Sequence, residues 1–246
     1  MELKQIFNNW AHSVGEEYSK KQWLLSKWEM FEGVEWSEKK CAILIKNIRD
    51  RLQLSPEEKL IELGCGGGWI LESLKPYVEK AYGMDIAVEM LKHAQGILPQ
   101  NILLSGEIGK IPIKENFFDK ILCYYVFINF SEDSYIEDSI REIGRVLKKG
   151  GRALIGQLPD RTKSSQYDRA KKDYLEHCQN IYQNNLGRDT SEIHLPPLKL
   201  YDKNKLISFL KKNDLRFHFS KSFNPFYYPR QPELIDWRFD IIIDKV

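Results

Sequence analysis

The stretch Lys59-Leu-Ile-Glu-Leu-Gly-Cys-Gly-Gly-Gly-Trp69 decides the reading of this chain. A short apolar run carries one acid, Glu62, straight into glycines at 64, 66, 67 and 68. An apolar run of this length that ends in glycines predicts a strand closed by a turn. Residues without a Cβ let the backbone approach a bound molecule closely and take up positive φ at little steric cost. The turn is therefore expected to bind a ligand. Trp69, Ile70, Leu74 and Tyr77 then repeat at helical spacing, which predicts a helix from Trp69 to Leu74 or Tyr77.

Nicotinamide and flavin dinucleotides also use glycine turns after a first strand, so the ligand has to be argued. Their G-x-G-x-x-G fingerprint, started at Gly64, needs a small residue at position 69, where helix and strand pack closely. This chain has Trp69 there. Glu62 narrows the choice further. A carboxylate buried two residues before the turn costs on the order of several kcal/mol unless a cationic or hydrogen-bonding partner meets it. A ligand carrying an ammonium group supplies one.

Leu60-Ile-Glu-Leu-Gly-Cys-Gly-Gly-Gly68 resembles motif I of the class I S-adenosylmethionine-dependent methyltransferases. Tyr82-Gly-Met-Asp-Ile86 resembles the end of their second strand. The resemblance implies that Asp85 takes the two ribose hydroxyls and that Ile86 lies on the adenine. Ser105-Gly-Glu-Ile108 with Ile111-Pro-Ile113 resembles the segment whose acid, here Glu107, faces the adenine amino group. Phe118-Asp-Lys-Ile-Leu-Cys123 resembles the fourth strand, and Val146-Leu-Lys-Lys-Gly-Gly151 the turn before the fifth. These segments cover roughly residues 58 to 158 in the family's order and spacing. S-adenosylmethionine is the implied cofactor. Glu62, Gly64, Cys65, Gly66, Gly68, Asp85, Ile86, Glu107, Ile108, Cys123 and Tyr124 are the implied binding positions.

Periodicity supports the same arrangement. Apolar runs at 60–63, 81–86, 102–104, 120–123 and 153–157 alternate with helical segments such as Ala87 to Gln95 and Ser134 to Leu147. Alternating strands and helices imply right-handed crossovers and a parallel sheet covered on both faces. Ligands then bind beyond the carboxyl ends of the strands, where Gly64, Asp85, Glu107 and Cys123 fall. With the resemblance, the expected fold is a Rossmann-like α/β domain. It has a seven-stranded, mostly parallel sheet with helices on both faces, an N-terminal helical lid and an insertion after strand 5. Leu206 to Lys212 reads as a helix, Arg216 to Ser222 as an alternating strand and Phe239 to Ile243 as a last strand, which the resemblance implies is antiparallel to the sixth.

At 246 residues the chain is expected to form one methyltransferase core over 58–246, preceded by a helical lid segment over 1–57. The lid segment is rich in aromatics, including Trp10, Tyr18 and Trp23, which otherwise pack helices onto the sheet. Residues 159–200 are long enough for a second lid. Balanced charge, 37 basic against 35 acidic residues, gives no electrostatic case for a nucleic-acid partner. Cys41, Cys65, Cys123 and Cys178 show no C-x-x-C spacing, which points to a reducing compartment and no structural metal. No signal pattern or membrane-length apolar run is present, so the expected address is cytoplasmic. Composition leaves the oligomeric state undetermined.

A sulfonium methyl is already activated, so the protein mainly has to align the acceptor and exclude water. A hydroxyl or ammonium acceptor also needs a base. His93 is expected on an exposed helix face and His218 within a strand, leaving His12 and His194, in the two lids, as candidate catalytic bases. Asn129 stands where many relatives carry histidine, and Tyr125 replaces a common acid. Trp10, Tyr18, Tyr125, Asn129 and Tyr227 are candidate substrate-lid residues. Asn224-Pro-Phe-Tyr-Tyr-Pro229 resembles the N-P-P-Y signature of base methyltransferases but lies far from the fourth strand, so it reads as an aromatic loop. Tyr167 and Lys171 match the spacing of a short-chain dehydrogenase pair, but Trp69 spoils the glycine fingerprint that such an enzyme needs. The leading reading is a methyltransferase acting on a small-molecule acceptor. The alternatives are a non-catalytic cofactor-binding subunit and an oxidoreductase using a nicotinamide cofactor.

Overall fold

The computed structural model describes residues 4–5, 8, 38–169, 172, 199–223 and 235–246. Seven strands form one sheet: β1 Lys59–Leu63, β2 Lys80–Asp85, β3 Ile102–Ser105, β4 Phe118–Tyr124, β5 Leu147–Pro159, β6 Arg216–Ser222 and β7 Ile235–Asp244. Their order across the sheet is β3-β2-β1-β4-β5-β7-β6. The first five strands pair in parallel, whereas β7 runs antiparallel between β5 and β6. The order reverses at β1, which places a ligand crevice beyond the carboxyl ends of β1 and β4. The expected mostly parallel, Rossmann-like sheet is what the chain forms.

Among the described residues, the helices that cover it are α1 Glu38–Leu52, α2 Trp69–Leu74, α3 Val88–Ile97, α4 Asp133–Val146 and α5 Lys203–Lys212. Side chains alternate across a strand, so each strand feeds two cores. Leu60, Leu122 and Leu154 bury one face under Leu44, Ile48 and Leu52 of α1, Trp69 and Leu71 of α2 and Met90 of α3. Ile61, Leu63, Ile121 and Ile155 bury the other under Ile136, Ile140 and Ile143 of α4 and Leu206 and Leu210 of α5. Residues 38–52, the end of the segment expected as an N-terminal lid, thus form one of the layers that cover the sheet.

Strand boundaries differ from the periodic reading in β5 and in β7, which starts at Ile235 rather than Phe239. β5 extends over Leu147–Pro159, beyond the expected 153–157, because Leu147 already pairs with Phe118 and the chain bulges before Arg152 pairs with Lys120. Gly150 takes φ +75° within that bulge. His93, expected to be exposed, is half-buried in α3, whereas His218 is exposed on β6. Trp10, His12, Tyr18, Trp23, Lys171, His194, Tyr227 and the 224–229 loop lie outside the described residues. Among the described residues no helix is long and apolar enough to cross a membrane.

Candidate active site

The glycine turn after β1 is held from below by β2. The Gly64 and Cys65 N–H groups donate to the Met84 carbonyl at 2.7 and 3.0 Å, and Gly68 N–H closes the turn on the Cys65 carbonyl at 2.9 Å. Gly64 and Gly68 adopt φ of +75° and +81°, a region that costs an L-residue about 1–2 kcal/mol. Space also demands glycine at 64, because a Cβ there falls 2.3 Å from Val126 Cγ2. The turn therefore packs directly on the segment that follows β4. Cys65 is buried beneath it over Gly83, whose own Cβ position lies 2.9 Å from the Cys65 sulfur. Trp69 is buried as well, filling the place that a dinucleotide fold keeps for a small residue.

Asp85 ends β2 and fixes the turn from the side. Its Oδ2 accepts from Gly66 N–H at 2.8 Å and its Oδ1 from Ala87 N–H at 2.9 Å. A carboxylate offers about four acceptor directions, so this geometry orients both oxygens without exhausting them. Glu62 is buried at the carboxyl end of β1, aligned with Gly83 and Leu122 of the flanking strands. Ile86 is half-buried, Ile108 is buried, and Glu107 is exposed on a tight turn where Lys110 N–H donates to its carbonyl at 3.0 Å. These positions share one end of the sheet.

Cys123 and Tyr124 come to the same end by a different route. Cys123 is fully enclosed, and its thiol pKa is pushed well up by burial and by the Glu62 charge, which makes it an inert neutral group. Tyr124 turns to the opposite face, where its hydroxyl donates to the Phe223 carbonyl at 2.7 Å and accepts from Gln157 Nε2 at 2.9 Å. Burial raises the phenol's pKa well above its ordinary value. Asn129 Nδ2 donates to the Val126 carbonyl at 3.2 Å, beside the Asn129 backbone N–H, which donates to the same carbonyl at 3.0 Å and closes the 3-10 turn Phe127–Asn129.

A family model described as Methyltransferase domain matches residues 61–155. The uncharacterized methyltransferase YcgJ of Bacillus subtilis (strain 168) is 30% identical over 104 residues, 40% of each chain. A demethylmenaquinone methyltransferase of Corynebacterium kroppenstedtii is 31% identical over 111 residues, 45% of this chain and 46% of its own length. A crystal structure of an S-adenosylmethionine-dependent methyltransferase from Clostridium acetobutylicum superposes with a TM-score of 0.62 at 15% identity, over 92% of this chain and 99% of that one. The chain matches the methyltransferase domain family over residues 61–155 and has the fold of S-adenosylmethionine-dependent methyltransferases. It spans less than half the length of these two curated relatives, so sequence similarity speaks for the core domain. S-adenosylmethionine is the cofactor of this family. The donor set suits it, since carboxylates at 62 and 85 flank a left-handed glycine turn and the ligand offers an ammonium group and two ribose hydroxyls.

The carboxyl ends of β4 and β5 contain groups that sequence reading missed, beside Tyr125, which it named. Gln157 is wholly buried at a bulge of β5 with φ +71°, and Tyr125 directly after β4 has φ +61°. Non-glycine residues in this region cost roughly 1–3 kcal/mol each and persist only where surroundings over-determine them. Gln157 is over-determined. Its N–H donates to Asp240 Oδ1 at 2.7 Å, its Nε2 to Tyr124 and to the Phe223 carbonyl, and its Oε1 accepts from Arg238 Nη1 at 3.1 Å. Asp240 is fully buried and also accepts from Ser222 and from Arg51 of α1. Burial lifts its carboxyl to about 6 against the pull of Arg51. One signal was visible: Gln157 interrupts an otherwise apolar strand, which in a buried sheet requires partners.

Proposed function

We propose that the chain transfers a methyl group from S-adenosylmethionine to a small-molecule acceptor by in-line displacement. The observation that carries this reading is Asp85, with both carboxylate oxygens fixed by Gly66 and Ala87 N–H beside the left-handed glycine turn. When bound, S-adenosylmethionine supplies a methyl group activated on a sulfonium sulfur. The chain's own residues then have three tasks. Asp85 takes the ribose hydroxyls, with Ile86 and Ile108 beside the adenine and Glu107 at its amino group. Glu62 meets the ammonium group, and the Gly64–Gly68 turn with Cys65 sets the approach. Residues after β4, Tyr125 and Asn129 among them, face the acceptor and exclude water, which is where alignment lowers the barrier.

Residues 1–57 with Trp10 and Tyr18, apart from α1, which packs on the sheet, residues 159–200, and Tyr227 are proposed to close over the acceptor, with residues 58–246 as the rest of the core. His12 and His194 are the proposed bases. The relatives include demethylmenaquinone and ubiquinone/menaquinone C-methyltransferases, which supports a ring-containing small molecule as acceptor. The free thiols of Cys41, Cys65 and Cys123 support a reducing, cytoplasmic address. Calorimetry of the purified chain tests the reading: micromolar binding of S-adenosylmethionine or S-adenosylhomocysteine is expected. No heat with either ligand refutes it. Release of S-adenosylhomocysteine across a panel of acceptors then identifies the second substrate.

A further inference from the structure

Arg238 is the most unusual cation among the described residues. It lies on β7 opposite Pro159 of β5, at the end of the sheet where ligands bind. Its side chain is more than nine-tenths buried. Three aromatic groups gather there: the guanidinium carbon is 4.1 Å from the Trp237 ring centroid and 5.4 Å from that of Tyr125, and the Tyr167 ring stands 5.3 Å from Trp237. Nη1 donates to Gln157 Oε1, but the buried Nε has no hydrogen-bond partner among the described residues. A buried N–H left without an acceptor costs about 1–3 kcal/mol, more on a charged group.

The acids nearest to Arg238 among the described residues are engaged elsewhere. Asp240, the described carboxylate closest in the chain, is engaged by Arg51, Ser222 and the Gln157 N–H. Asp160 is engaged by Lys203 and Thr162. Asp240 is hydrogen-bonded to Arg51 and acts on Arg238 only through space. Gln157 holds one edge of Arg238 in place, which leaves the Nε edge of a planar fork directed elsewhere. That edge has the side-on geometry that pairs with a carboxylate through two parallel N–H···O bonds.

The location separates this group from the cofactor. Three strand spacings lie between β1 and β7, roughly 14 Å at about 4.8 Å each. Yet the route to the reacting end is short. Val126 touches the Cβ position of Gly64, Tyr125 precedes it in the chain, and Arg238 lies against Tyr125. We propose that Arg238, positioned by Gln157 and walled by Tyr125 and Trp237, binds a carboxylate carried by the ring-containing acceptor. The inference rests on the methyl-transfer reading and names the acceptor's charged handle. Aromatic walls exclude water, so the ion pair strengthens there relative to bulk solvent.

The test uses the full chain saturated with S-adenosylhomocysteine. The Nε–H resonance of Arg238 is assigned by its loss in Arg238→Lys. Acetate and benzoate are titrated at constant ionic strength, beside acetamide and benzamide, with phenyl phosphate as a second anion. A saturable shift with the two acids, at least tenfold weaker with the amides and with phenyl phosphate, is expected. Trp237 fluorescence should follow the same titrations, and Arg238→Gln should abolish the preference for acids over amides. Equal response to acids and amides, or no response to either acid, overturns the inference, and a stronger response to phenyl phosphate replaces the carboxylate with a phosphate. S-adenosylhomocysteine affinity is measured in parallel. Failure of that ligand to bind wild type refutes the methyl-transfer reading instead, and a tenfold loss of its affinity in both Arg238→Lys and Arg238→Gln assigns the guanidinium to the cofactor and overturns the proposal.

Discussion

At the ends of β1 and β2 the site is made from contiguous sequence: a glycine turn, one acid per strand and backbone N–H groups. At the ends of β4, β5 and β7 it is made from side chains 33 to 189 residues apart, in which Tyr124, Gln157, Arg238, Asp240 and Arg51 hold one another. The first half keeps its shape through backbone geometry. The second keeps its shape through a buried polar network. A half built from backbone needs glycines and tolerates variation around them, whereas a network fails as a unit when one member is removed.

The sharpest way to break this contrast is Asp240→Ala. It removes the buried acceptor of Arg51, Ser222 and the Gln157 N–H, so at pH 7.5 the variant is expected to lose about 3–5 kcal/mol in denaturant melts. The fraction that stays folded should bind S-adenosylhomocysteine normally. A loss below about 1 kcal/mol would show that the network is not cooperative. Gly64→Ala comes next, combining left-handed backbone with overlap against Val126, for an expected cost of about 2–4 kcal/mol and loss of cofactor binding. Wild-type affinity and stability in that variant would remove the steric account of the turn.

Asp85→Ala should weaken cofactor binding by about 1.5–3 kcal/mol, the size of charge-assisted hydrogen bonds, as read by calorimetry on folded protein. Unchanged affinity would break the assignment. Acidity probes the other half. Asp240 titrates near 6 in the fold against an ordinary value of 3.8, so the native state holds the extra proton between those values. Its contribution to stability is therefore greatest below about pH 4 and falls as pH rises towards 6, by up to about 1.4 kcal/mol per pH unit. Asp240→Asn cannot titrate, so the stability of wild type relative to this variant should decline over that window; a flat difference curve sets the shift aside. The smallest effect belongs to Gly96→Ala in α3. Nothing lies within 4 Å of its Cβ position, and a gain of about 0.5–1 kcal/mol in a thermal melt is expected.

Much of this was legible beforehand. The strand-turn-helix at 59–74, the carboxylate at 85 and the alternation of elements through residue 158 are local patterns, and the sheet assembled them as the periodicity implied. The ends of β5 were misjudged, because a bulge pairs through backbone and leaves no hydrophobic alternation to read. Cys123 and Tyr124 look alike in sequence as neighbours at a strand end. Strand alternation sends one into the core and the other into the polar network.

Sequence alone determined the fold class and the cofactor half, since a turn that requires glycine and a strand that ends in an acid are each written in a few adjacent residues. Tertiary structure alone decided the half at β4, β5 and β7. Arg238, Gln157 and Asp240 acquire meaning only when β7 inserts antiparallel beside β5, because a buried charge is defined by the partners that burial brings to it, and those partners are distant in the chain.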